Sequence, residues 1–281
     1  MTLIYTPLYE SLIYTLCVYG VYLLFRHLKY PDISTDNVFS FGSISFAFFL
    51  LSTNSFFTAI LLTLVSGAIV GSFTMLLYAK LKVPKLLSGI ITYSILFSIN
   101  LKFFQKPNIS ISDNVLPSNT TLILIAINTI VIAFVAVLYN SKLGKAINTF
   151  GNNPTILKEF NAPSTLVLIL GGSIANALIS LSGGLTSVYF GFSDVGMGIG
   201  LLINSVAAII IAENIMLYLP NRFHIFVVPA GVFIYNFILF LVISKFSFGF
   251  LGYTDYKLVS GVIIILFFVA SNKKAKEIVS F

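Results

Sequence analysis

The sequence predicts an all-α, polytopic integral membrane protein with eight or nine transmembrane helices. Two observations carry that reading. Of 281 residues, 58% are hydrophobic and 9% charged, and mean hydropathy is +1.01. Soluble domains carry about 25% charged residues. The apolar residues also come in runs matched to a bilayer. A helix rises 1.5 Å per residue, so about 20 apolar residues span the hydrocarbon core. The whole chain, 1–281, reads as one membrane domain.

The runs follow in order. Leu3–Phe25 is the first. No basic stretch precedes it and no small-x-small cleavage site follows, so it reads as a retained helix and not a removed leader. Val38–Leu51 is short, which suits a half-helix or a broken one. Phe56–Tyr78, Leu86–Phe103, Thr121–Tyr139, Thr165–Leu181, Gly200–Tyr218, Ile225–Ile243 and Leu258–Ala270 complete nine, the preferred count.

Nine crossings place the termini on opposite sides, and basic residues favour the cytoplasm. With the C-terminus inside, the inner segments hold Arg26, Lys29, Lys80, Lys82, Lys85, Lys142, Lys145, Lys158, Arg222, Lys273, Lys274 and Lys276, 12 of the 16 basic residues. Lys102, Lys106, Lys245 and Lys257 lie outside. The expected orientation is N-terminus out and C-terminus in, with the 104–119 loop extracytoplasmic. Its sequons at Asn108 and Asn119 are of a kind common by chance. The net charge of +7 is spread over short loops, with no basic helix or Arg-rich run, so it indicates no nucleic-acid partner.

Two stretches interrupt the apolar pattern with Gly, Ser and an acidic residue: Pro31–Ser43 and Ser182–Gly200. Non-helical backbone at membrane depth is tolerated where protein buries it or where it lines a wet cavity. In transporters, paired interruptions in two halves point to the substrate pathway. Asp36, Ser40, Ser43 and Asp194 are therefore candidate pathway residues. The alternative places Asp36 and Asp194 in solvent. Asp32, near Arg26 and Lys29, is expected at the solvated surface.

Polar residues also form stripes within the spans. Gly172, Asn176, Ser180 and Gly184 recur every four residues, on one helix face. Gly67-x-x-x-Gly71 and Gly196-x-x-x-Gly200 have the spacing of close helix approach. Asn176 and Ser180, with Asn100 and Asn204, join the candidate pathway set, and Asn176 could equally bond across a helix contact. Glu213 is expected at the cytoplasmic end of its helix. Glu10 is expected to reach the interface or to be protonated.

The segment Ser141–Ser164, SKLGKAINTFGNNPTILKEFNAPS, is a long basic interruption between apolar runs. Long polar loops in compact folds tend to be functional. On the cytoplasmic side, this one suits docking, and it contains what reads as a short helix.

Several chemistries have no residues to carry them. There is no phosphate-binding Gly-x-x-x-x-Gly-Lys-Ser/Thr loop, no His-Glu-x-x-His and no paired intramembrane carboxylate. His27 and His224 are the only histidines and stand at expected membrane boundaries. Cys17 is the single cysteine, which excludes an intrachain disulfide and a cysteine metal site. No metal, cofactor or catalytic group is expected. Energy for active transport would have to come from another subunit.

Four segments carry a resemblance: YPDISTDNVFSFGS (30–43), KLKVPKLLSGIITYSILFSINL (80–101), LGKAINTFGNNP (143–154) and the run from Asn176 to Glu213. In this order they resemble the permease subunits of ABC importers of the branched-chain amino acid and ribose type. Within that type the chain is most similar to permeases named for tryptophan/tyrosine import and to uncharacterised importers. The resemblance spans about Gly20–Ala270. It implies a coupling helix within Gly144–Asn161, starting after Pro154 and seated on an ATPase subunit. Gly144, Lys145, Gly151, Asn152, Asn153, Pro154, Lys158 and Glu159 would form that element. Asn153 could cap the helix, and Pro154 suits its first turn.

The resemblance further implies two permease chains in a homodimer, two ABC ATPase subunits, an extracytoplasmic solute-binding protein and a bacterial plasma membrane. The segment Phe190–Gly200 and the 104–119 loop would face the binding protein. The solute would be an amino acid or similar small molecule, moved by alternating access. Ala212 stands where these permeases tend to have Gly, and Asn204–Ser205 is more polar than is usual there. A stand-alone secondary carrier would transport without ATP and leave Ser141–Ser164 without a purpose. An intramembrane lipid enzyme would need clustered acid, base or metal groups.

Overall fold

A computed structural model describes residues 2–103, 108–111, 120–159, 163–219, 224–246 and 256–270. Arg222, Lys106, Asn119, Asn161, Lys273, Lys274 and Lys276 lie outside the described residues.

Each of the nine apolar runs is a helix. They are α1 (Thr2–Tyr22), α2 (Thr35–Thr53), α3 (Phe56–Ala79), α4 (Lys85–Phe103), α5 (Thr120–Asn140), α8 (Ser164–Phe190), α9 (Leu201–Met216), α10 (His224–Phe246) and α11 (Tyr256–Ala270). The polar interruption supplies two more, α6 (Lys142–Asn152) and α7 (Pro154–Glu159). Among the described residues, five helical stretches are long and apolar enough to cross a bilayer: Thr6–His27, Phe56–Ala79, Leu122–Asn140, Ser164–Phe190 and His224–Ser244. α9 is a shorter apolar helix.

α8 is the central helix. Of its most apolar window 67% is buried, against 17% for α5 at the periphery. The predicted stripe explains why. A Cβ on Gly172 would meet the Met75 side chain at 2.3 Å, and one on Gly184 the Phe46 ring at 2.9 Å. A Cβ on Gly71 would come 2.3 Å from the Gly172 carbonyl oxygen, and one on Gly67 2.5 Å from Ser180 Cβ. Small residues on both helices let α3 and α8 touch backbone to backbone, as the Gly67–Gly71 spacing predicts. On the α2 side, Cβ atoms on Gly42 and Gly183 would each stand 2.0 Å from a carbonyl oxygen, of Ser180 and Phe39 respectively. α1 lies on another face of α8, with Ser182 Oγ donating to the Ile13 carbonyl at 2.8 Å.

These contacts correct three sequence expectations. The second interruption does not begin at Ser182. α8 continues through Ser-Gly-Gly to Phe190, because Gly183 and Gly184 are needed as close-contact residues and the packing overrides their poor helix propensity. The first interruption is likewise shorter than Pro31–Ser43, since α2 starts at Thr35. The Gly196–Gly200 pair does not pack helices together. Gly200 has φ +89 with no atom near its Cβ position, so it serves the turn that opens α9.

α1 ends in a π-turn, Leu23–His27, where the Leu28 N–H donates to the Leu23 carbonyl at 3.0 Å. Beyond α8, Gly191 at φ +73 turns the chain into β2 (Phe192–Asp194). This strand pairs antiparallel with β1 (Asn108–Ser110), Asn108 opposite Asp194 and Ile109 opposite Ser193.

Candidate functional site

Two regions contain the predicted residues. The first is the α6–α7 segment. Ser141 caps α6, accepting from Gly144 N–H at 3.1 Å. α6 is amphipathic: Ile147 is fully buried, while Lys142, Lys145, Asn148 and Asn152 are exposed. Both predicted glycines are close-contact residues. A Cβ on Gly144 would stand 2.0 Å from the Leu138 carbonyl oxygen, and one on Gly151 1.9 Å from that of His27. Asn148 Oδ1 lies 3.4 Å from His27 Nδ1, a second tie to the π-turn. Asn153 is exposed and caps α7, accepting the Thr155 N–H at 3.0 Å, with Pro154 as the first helical residue. Lys158 and Glu159 fall in α7, but their side chains lie outside the described residues. The sequence reading found α7 and missed α6, whose signal was Leu143, Ala146, Ile147 and Phe150 at helical spacing after a Ser cap.

The second region is where the two interruptions meet. Asp36, in the first turn of α2, accepts two backbone N–H groups at the start of α9: Gly200 at 2.9 Å and Leu202 at 2.8 Å. Ser40 Oγ accepts Gly198 N–H at 2.9 Å, and a Cβ on Gly198 would stand 1.8 Å from the Asp36 carbonyl oxygen. Ser43 Oγ lies 2.8 Å from Ser193 Oγ. The helix N-termini of α2 and α9 thus converge on one carboxylate, which their positive dipole ends favour. Asp194 accepts Gly196 N–H at 2.7 Å and shapes the turn between β2 and α9.

The other candidates sit apart from this junction. Asn100 is buried and reaches the Asn37 carbonyl at 3.5 Å, on the α4 side of α2. Asn204 accepts from the Tyr235 hydroxyl at 2.8 Å and lines a small recess with Tyr14, Ser205 and Asn236. Ser180 donates to the Thr63 carbonyl at 3.2 Å, and Asn176 to that of Gly172 at 3.0 Å.

Asp32 is a correction. It is fully buried, not solvated, because the Leu28–Ser34 connection runs against α8 and α4 and not along the surface. Asn176 Nδ2 lies 3.5 Å from its carboxylate. Sequence reading also missed the Arg26–Glu213 pair. The Arg26 Nε and a terminal guanidinium nitrogen each donate to one Glu213 oxygen, fixing the π-turn to the end of α9. Position 26 at the end of one apolar run and 213 near the end of another was the available signal. Among the described residues no three His, Cys, Asp or Glu side chains come together.

A family model described as branched-chain amino acid transport system / permease component matches residues 3–269. The chain belongs to that permease family. It is a transmembrane permease subunit of ABC type, a transport component. It is 32% identical over 267 residues to a tyrosine transport system permease protein of Clostridioides difficile (strain R20291), covering 94% of this chain and 89% of that one. It is 31% identical over 290 residues to an uncharacterised protein of Rickettsia prowazekii (strain Madrid E), covering 99% of this permease and all of that protein. No solved structure gives a significant match. In this permease the smallness missing at Ala212 is supplied by the facing helix. A Cβ on Gly231 of α10 would stand 2.7 Å from Ala212 Cβ.

Proposed function

We propose that this permease is half of an importer pathway, working as a homodimer with two ATPase subunits and an extracytoplasmic solute-binding protein in a bacterial plasma membrane. It crosses the membrane nine times, N-terminus out and C-terminus in, and carries an amino acid or a similar small solute. The lysine census supports this orientation, and the tyrosine permease relative supports the solute class.

The observation that carries the reading is the seating of α6. Its exposed face bears Lys142, Lys145 and Asn152, and its other face is fixed on the π-turn through Gly151 and His27. An ATPase seated on Gly144–Glu159 therefore pushes on α1 and on the Leu28–Ser34 connection. That connection leads into α2, whose Asp36 holds the start of α9. ATP-driven closure of the ATPase pair moves α6, and the helix bundle switches its open side as a rigid-body movement. ATP hydrolysis takes place in the separate subunit.

The test is co-purification of the tagged chain with its co-expressed ATPase, compared with a Gly151→Pro/Glu159→Lys variant at equal membrane levels. Capture by the native chain and loss in the variant is the expected outcome. Solute uptake by the native chain in liposomes without ATP would overturn the reading in favour of a stand-alone carrier.

A further inference from the structure

We propose that Asp32, Ser34 and Asn176 form a binding site for a small monovalent cationic group. This inference does not rest on the identity of the transported solute. Asn176 is the thirteenth of the 27 residues of α8, so the site lies at the midpoint of the central helix. Asp32, Ser34 and Asn176 are each 0% exposed.

The donor and acceptor census at this point does not close. Asp32 Oδ1 accepts Ser34 N–H at 2.9 Å, and Oδ2 has only the long 3.5 Å contact with Asn176 Nδ2. Among the described residues no Lys or Arg reaches Asp32 at ion-pair distance. Two more oxygens here lack partners. Asn176 Oδ1 and Ser34 Oγ make no hydrogen bond of ordinary geometry. Buried polar groups are nearly always satisfied, so such atoms call for an explanation.

The carboxylate and the amide carbonyl are acceptors only, so the partner they lack is a donor or a positive charge, while the Ser34 hydroxyl can donate or accept. A proton on Asp32 would donate to Asn176 Oδ1 and leave the Ser34 hydroxyl to donate to the carboxyl, and for that neutral acid no salt is favoured over another. A cation accepts lone pairs from all three, and hard cations take oxygen ligands of this kind. One carboxylate balances one positive charge, whereas a divalent ion would leave net charge buried in the bundle. Gly89 keeps the α4 side open, since a Cβ there would stand 3.1 Å from Asp32 Oδ1. An alkali ion and the ammonium group of an amine solute share this chemistry.

The sole cysteine makes the test direct. Cys17 is fully buried, so a thiol-reactive fluorophore reports unfolding of the full chain in lipid nanodiscs. Thermal midpoints are measured at constant ionic strength in sodium, potassium, methylammonium or N-methylglucamine chloride. A ligand that binds only the folded chain raises the midpoint with concentration. The expected result is such a rise of several degrees over N-methylglucamine. Asp32→Asn should abolish it, and Ser34→Ala should weaken the apparent affinity several-fold. A rise with alkali ions alone identifies an ion site, and one with methylammonium identifies an ammonium site. Equal midpoints in all four salts overturn the proposal, as does a rise that survives Asp32→Asn. If Asp32→Asn does not fold, an unchanged affinity in Ser34→Ala overturns it.

Discussion

Replacing Gly151 with Ala tests whether α6 acts through the π-turn. The added Cβ would stand 1.9 Å from the His27 carbonyl oxygen and 3.0 Å from the Leu28 carbonyl carbon. Real Cβ contacts do not fall below 3.0 Å, so α6 and the π-turn must part by about 1.1 Å, from 1.9 to 3.0 Å. The obstacle is backbone, which cannot swing aside as a side-chain tip can. Overpacking of this kind costs about 1–3 kcal/mol, or roughly 5- to 150-fold in the population of the seated helix. The separation also stretches the 3.4 Å contact of His27 with Asn148 beyond hydrogen-bond range. Capture of the ATPase and solute uptake should both fall within that range, while the thermal midpoint read at buried Cys17 changes little. Gly261→Ala, where no atom stands within 4 Å of the new Cβ, is the matched control. A Gly151→Ala chain that captures the ATPase and transports like the native one would refute the reasoning. So would a loss of capture explained by a collapse of the Cys17 midpoint.

Three further perturbations separate packing from charge. Gly42→Ala and Gly183→Ala each press a Cβ to 2.0 Å from a carbonyl oxygen in the α2–α8 seam. Each should cost about 1–3 kcal/mol, and the double variant should depart from additivity because both open one seam, as thermal midpoints would record. Asp36→Asn turns a carboxylate that accepts two N–H groups into an amide that can offer only one oxygen. It should cost about 1–3 kcal/mol, and Asp194→Asn, whose carboxylate accepts the turn N–H of Gly196, should cost less. Arg26→Gln strands the Glu213 carboxylate. Since these side chains are 27% and 21% exposed, the loss should be about 1–2 kcal/mol, below the value for a fully buried pair. Arg26→Gln/Glu213→Gln should recover part of it, and failure to recover would mean that the pair is not the source of the loss.

Helix existence was legible in the sequence because bilayer length and periodicity act locally. All nine apolar runs are helices, within a few residues for most ends. The large miss, the end of α8, has a non-local cause. Ser182-Gly183-Gly184 has the composition of a break, and only the Phe39 and Ser43 backbone beside Gly183 and the Phe46 side chain beside Gly184 make glycine a helix residue there. The same limit applies to charge. Asp32, Arg26 and Lys29 are neighbours in sequence, yet the turn at Leu28–Ser34 sends Asp32 inward and leaves Arg26 to a residue 187 positions away. The pairing of the two interruptions was legible as a pattern, but the atoms that join them, the Asp36 carboxylate and the Gly200 and Leu202 N–H groups, were not. A backbone donor carries no sequence signature. α6 was hidden by low apolar content, although its apolar residues fall on one face.

The Leu28–Ser34 connection gives these separate features one mechanical logic. Its first residue packs its methyls 3.0 Å from the Cβ position of Gly171, near the start of α8. Its fifth residue, Asp32, is level with Asn176, five residues further along α8, a climb of about 8 Å. Three residues on, α2 begins, and its first-turn carboxylate holds the start of α9. The connection therefore runs from the carbonyl against which α6 is packed to the junction of the two interrupted helices. It is tied to α1 by the Tyr30 N–H to the Leu24 carbonyl at 2.9 Å, to α4 by Lys85 Nζ to the Lys29 carbonyl at 3.0 Å and by the Tyr30 hydroxyl to Ser88, and at its end by the Ser34 N–H to Asp32. A non-helical segment tied to α1 and α4 along its length can transmit displacement without having to melt a helix. Spatial continuity alone does not establish coupling, but here the same short stretch contains the buried, incompletely satisfied carboxyl. Occupancy at Asp32 and the position of α6 then bias one element from opposite ends, and two ligands that bias one two-state element must influence each other reciprocally.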